Sequence, residues 1–98
     1  MADLEFDQLH ESKPVKIEKN GKSICVTRIG NEVFAIDDTC SHSDASLSEG
    51  EVTNFRIECW LHGAEFDLRT GEALTLPANI ALQTYPVTID SNSVTVEI

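Results

Sequence analysis

Positive charge is the scarcest property of this sequence: seven Lys and Arg residues stand against 17 Asp and Glu, a formal net charge of −10 in 98 residues. Such a chain repels phosphate backbones, which argues against nucleic acid as a partner. The same field attracts a basic protein surface, although acidity also serves simple solubility. Long apolar runs are missing as well. No segment approaches the roughly 20 apolar residues that a membrane-crossing helix needs. The start, Met1-Ala2-Asp3-Leu4-Glu5-Phe6-Asp7, has neither the basic residues nor the apolar stretch of a secretory signal. Three cysteines cannot all pair with one another, so a cytoplasmic protein without a disulfide is the simplest account. No window of useful length repeats its apolar residues with the 3.6-residue helical period. Repeats, low-complexity tracts and linkers are absent, and the length suits one domain, residues 1–98. Nothing resembles a nucleophile with its base or a pair of catalytic carboxylates. The chain alone is expected to catalyse nothing.

What is present is a run of short strands between turn signals. Pro14 to Lys19 alternates apolar and polar residues and meets Asn20-Gly21, a pair suited to a type I′ turn. Lys22 to Ile29 is the expected returning strand. Gly30-Asn31 offers a second tight turn before Val33-Phe34-Ala35-Ile36. Thr84 to Ile89 and Val94 to Ile98, joined by Asp90-Ser91-Asn92-Ser93, read as a closing hairpin. Ala73 to Gln83 has room for a helical turn, but Pro77 in its middle argues against one. The fold class is all-β. From Asp37 to Leu82 the strand pattern weakens and His, Cys, Gly and Ser gather, which suggests a β scaffold carrying a site on its loops.

That centre holds two motifs separated by 16 residues, Cys40-Ser41-His42 and Cys59-Trp60-Leu61-His62. Each pairs a thiolate with an imidazole, a donor set for a transition metal. Zinc sites usually group cysteines two to four residues apart; here each loop supplies one ligand of each type. This suits two irons bridged by two sulfides, one iron taking Cys40 and Cys59, the other His42 and His62. Neutral imidazoles in place of two thiolates reduce the negative charge around the cluster and raise its potential. A zinc site built from the same four residues is the alternative.

The pattern resembles the signature of the Rieske family, and its surroundings agree. Gly63 follows the second histidine. Phe66-Asp67-Leu68-Arg69-Thr70-Gly71 is similar to the family's following strand and turn, and Leu76-Pro77-Ala78 to the proline-bearing third loop over the cluster. The resemblance spans Cys40 to Ala78. It implies one 2Fe–2S cluster and an antiparallel β sandwich or barrel with an inserted, loop-rich cluster-binding subdomain at residues 38–82. Respiratory Rieske proteins join their two ligand loops by a disulfide; the matching places here hold Ala45 and Leu61. Where those proteins set a serine and a tyrosine against the cluster, this chain has Ala64 and Phe66. Fewer hydrogen bonds to sulfur mean a lower potential, near the bottom of the roughly −150 to +300 mV span of such centres.

A low-potential Rieske domain without the disulfide resembles the ferredoxin components of bacterial ring-hydroxylating dioxygenases. The resemblance implies a monomeric carrier of single electrons from a flavoprotein reductase to a terminal oxygenase. Two other readings are an electron-relay subunit similar to the nitrite reductase small subunit, and an accessory protein in iron–sulfur assembly. Trp60 stands where many relatives have proline, which touches loop stiffness and partner choice. Trp60 and Leu61 are expected as a lid over the sulfides, with partner docking the alternative. Cys25 is expected as a half-buried apolar residue and His10 as exposed. Asp44, Glu49 and Glu51 form either a docking patch or a solvated face, and Pro77 shapes the third loop.

Overall fold

The structure, a computed structural model, describes residues 3–39, 45–60, 63–75 and 81–97. Ten strands occur among them: β1 (Leu4–Glu5), β2 (Val15–Lys19), β3 (Lys22–Ile29), β4 (Glu32–Asp37), β5 (Val52–Thr53), β6 (Arg56–Glu58), β7 (Glu65–Asp67), β8 (Thr84–Tyr85), β9 (Val87–Asp90) and β10 (Ser93–Val96). Two 3-10 turns, Phe6–Gln8 and Leu47–Glu49, are the helical elements of these residues. All ladders are antiparallel and form three sheets, ordered β2-β3-β4-β8, β1-β10-β9 and β5-β6-β7. The all-β expectation holds.

The four-stranded sheet is central because both of its faces are covered. Side chains alternate across a strand, so β3 sends Ile24 and Val26 one way and Cys25 the other. Ile24 and Val26, with Val33 and Ala35 of β4, pack against Val94 and Val96 of β10. On the opposite face Cys25 and Ile36 meet Ile57, Cys59, Phe66 and Leu82. Strands buried on both sides read as continuous apolar runs, which is why Ile24-Cys25-Val26 breaks the alternation of β2.

Asn20 and Gly21 take φ of 52° and 79°, as a type I′ turn demands, and β2 pairs with β3 in the register this turn imposes. The expected strand over Thr84–Ile89 is two strands. Pro86, which has no N–H to give to a ladder, divides it: β8 pairs with β4, while β9 turns away to pair with β10. The closing turn is also tighter than expected, with Ser91 and Asn92 alone between the strands and Ser91 at φ 57°. The β5-β6-β7 sheet lies in the chain between β4 and β8, and it faces the central sheet across the core that contains Cys59.

Candidate metal centre

Cys40, His42 and His62 lie outside the described residues, as do Asp44, Leu61 and the Leu76–Ala78 stretch; Cys59 is described. The flanks of all three loops are also described, and they converge. Ala45 and Leu47 follow the first loop, Cys59 and Ala64 bracket the second, and Leu82 follows the third. All five are buried in one apolar cluster.

Close approach of main chain to main chain holds the loops there. Cys59 directly follows β6; its N–H donates to Ala64 O at 2.6 Å, and Gly63 N–H donates to Cys59 O at 2.8 Å. These bonds tie together the described ends of the second motif's turn, Cys59 on one side and Gly63 and Ala64 on the other. Gly50 joins this turn to the first loop. A Cβ there would stand 1.8 Å from Glu58 O, so only glycine lets the chain leaving the first loop lie on the strand leading to Cys59. Gly71 does the same for the third loop. Its φ is +77°, a Cβ would lie 2.2 Å from Leu82 O, and its own carbonyl accepts from Leu82 N–H at 2.7 Å.

Sequence reading passed over three side chains that tie the first loop. Asp38 is 1% exposed. Its carboxylate accepts from Ser46 Oγ and, at 2.9 Å, from Ser48 N–H, while its carbonyl accepts from Leu47 N–H at 2.6 Å. The signal was present in the acidic pair before Cys40 and the Ser-x-Ser after the loop, a pattern for carboxylate-to-backbone capping.

The surroundings fit a sulfur-bridged iron cluster. Cys59 is wholly buried among Ala45, Leu47, Ile57, Ala64 and Phe66, a dry, apolar setting of the kind that controls cluster potential. Ala64 and Phe66 are both fully buried and bring no hydroxyl. Cys25 shares this core. It is fully buried rather than half-buried, and burial pushes its thiol up to about 12, so it stays protonated and inert. Trp60 is 53% exposed, and Leu61, its companion in the lid expectation, lies outside the described residues. His10, Glu49 and Glu51 are exposed as expected. Beside the loops, Glu51, Glu58 and Glu65 line a cleft of about 120 Å³ with Thr53 and Arg56. Arg56 pairs with Glu65 at 3.1 Å, leaving that face with an excess of carboxylates.

Comparison with known proteins agrees with this chemistry. The family model described as "Rieske [2Fe-2S] domain" matches residues 1–86. Over 84 residues the chain is 42% identical to the ferredoxin component of biphenyl 2,3-dioxygenase from Rhodococcus jostii, an alignment covering 86% of this chain and 78% of that protein. The solved ferredoxin of carbazole 1,9a-dioxygenase from Nocardioides aromaticivorans superposes with a TM-score of 0.96 at 33% identity, over 99% of this chain and 95% of that one. In a solved complex of reduced oxygenase and oxidized ferredoxin of carbazole 1,9a-dioxygenase, one chain matches with a TM-score of 0.92 at 29% identity, covering 98% of this chain and 99% of its own length. From a buried cysteine where three loops meet, and from a family match over most of the sequence, it follows that this chain belongs to the Rieske [2Fe–2S] domain family and binds a 2Fe–2S cluster of that type.

Proposed function

We propose that this protein is the ferredoxin of a ring-hydroxylating oxygenase system, carrying single electrons from a flavoprotein reductase to the terminal oxygenase in the cytoplasm. Its cluster is held by Cys40 and Cys59 on one iron and by His42 and His62 on the other, within a binding region of residues 38–82. The observation that carries this reading is the shared burial of Cys59 with the flanks of all three loops. Relatives that are themselves named as ferredoxin components support it.

When bound, the cluster accepts one electron and gives it back. Everything else falls to the protein. The apolar residues around Cys59 keep water from the thiolate side, and Ala64 and Phe66 leave sulfurs without hydroxyl donors, which holds the potential low. The exposed Trp60 side chain and the exposed carboxylates of Glu49 and Glu51 offer apolar surface and negative charge, and this suits a short-lived encounter with a basic partner. No helix among the described residues is long and apolar enough to cross a membrane. The relay-subunit and assembly readings have no observation of their own in their favour.

The test is anaerobic purification followed by iron and sulfide analysis and electron paramagnetic resonance of the reduced protein. Two irons and two sulfides per chain with mixed nitrogen and sulfur ligation are expected. His62→Cys should lower the midpoint potential, because a thiolate adds negative charge. Colourless protein carrying zinc, or a potential indifferent to His62→Cys, refutes the ligand assignment.

A further inference from the structure

We infer that Asp38 is a positioning residue for the cluster: its buried carboxylate staples the two ends of the first ligand loop and so holds Cys40 and His42 in place against Cys59. The inference rests on the ligand set proposed above. Asp38 directly follows β4, and its N–H donates to Ser23 O at 3.0 Å, which anchors it to β3. From that fixed point it reaches across the loop. Ser46 Oγ donates to one carboxylate oxygen and Ser48 N–H to the other, at 2.9 Å, and Ser46 and Ser48 bond to each other at 2.9 Å. Thr39 and Ser46 form an isolated antiparallel bridge. The described ends of the first loop, Thr39 and Ser46, are thereby tied to one another.

A neutral side chain would have sufficed for a simple turn. A carboxylate buried to 1% exposure is costly unless its bonds carry structure, and among the described residues no Lys or Arg is paired with it. Its charge is felt in the core that contains Cys59, since it opposes ionisation of the Cys25 thiol there. Asp38 therefore fixes the ends of the loop that carries the first pair of ligands.

The test compares the whole holoprotein with Asp38→Ala, Asp38→Asn and Ser46→Ala. Val94→Ala, in the core on the other face of the central sheet, serves as a control of similar destabilisation. The readouts are the rate at which visible absorbance bleaches, and the midpoint potential. Asp38→Ala should lose its cluster about 10–100-fold faster, the usual effect of removing a group that orients a metal ligand, and Ser46→Ala should fall between it and the native protein. Asp38→Asn keeps the shape and one acceptor for Ser48 N–H; it should retain the cluster while its potential rises with the loss of charge. If Asp38→Ala bleaches no faster than Val94→Ala, or if Asn fails to rescue it, the positioning role is wrong. Should Asp38→Ala not fold, Ser46→Ala against Val94→Ala decides the matter in the same way. Native protein without a 2Fe–2S cluster would instead overturn the ligand assignment, a distinct result.

Discussion

The turn between β5 and β6 makes a sharp prediction because it breaks the usual rule for turn residues. Asn54 and Phe55 both have positive φ, 50° and 64°. Asparagine tolerates that region; a bulky aromatic residue there costs about 1–2 kcal/mol. The ring offsets the strain. It meets the Phe34 ring edge-on with centroids 5.8 Å apart, and the Arg69 guanidinium lies 4.8 Å over its face. An aromatic pair is worth about 0.5–1.5 kcal/mol beyond burial, and half-burial of the side chain adds about 1 kcal/mol. Phe55→Ala discards all of these contacts and keeps the strain, so it should cost about 2 kcal/mol. Phe55→Gly discards the same contacts and releases the strain, less the larger chain entropy that glycine loses on folding. Gly should therefore be more stable than Ala by about 0.5–1 kcal/mol, the reverse of the order in ordinary strands. At about 4–8 °C per kcal/mol for a domain of this size, the gap is roughly 2–8 °C. Thermal unfolding of the three holoproteins by circular dichroism at one scan rate measures it. An alanine variant as stable as the glycine variant, or more so, refutes the argument that Phe55 is strained and held by its ring.

Three further outcomes are expected. Tyr85 donates to Asp37 Oδ1 at 2.5 Å, and burial, this bond and the Asp37 charge push its hydroxyl up to about 12; an unfolded tyrosine ionises near 10. Its contribution is intact below about pH 10 and lost as pH rises towards 12, so urea midpoints should fall over that window and Tyr85→Phe should flatten the fall. Ala64→Ser and Phe66→Tyr place hydroxyls in the Cys59 core and should raise the midpoint potential; a flat response in direct voltammetry means that they do not reach sulfur. Stopped-flow electron transfer to the terminal oxygenase should slow as salt is added, since a charge of −10 steers a basic partner; a salt-independent rate would remove acidity from the docking argument.

What was legible in the sequence was whatever local chemistry dictates. Asn20-Gly21 announces its hairpin because few other pairs accept two positive φ values, and the Cys–His spacing announces metal because those donors have few other uses so close together. The misses share a physical cause: tertiary contact decided them. Leu9 is fully buried and Phe6 lies under Arg28, at 4.4 Å, yet the polar residues around them show no period. Asn54-Phe55 reads poorly as a turn because its αL aromatic is held by Phe34 and Arg69, neither of them a neighbour in sequence. Asp38 is buried by Ser46 and Ser48, eight and ten residues further along the chain. The split at Pro86 had a plain local sign, since a proline within an expected strand marks where a ladder must stop.

Strands β1 and β10 lie side by side, and Lys19 clamps them by bonding to Asp3 at 3.0 Å and to Val96 O at 2.6 Å. Their sheet covers the face of the central layer turned away from Cys59. An affinity handle, a surface anchor or a fused reductase attached beyond either strand would therefore leave from the back of the molecule. A protein wired to an electrode through those strands would keep its redox end pointing into solution.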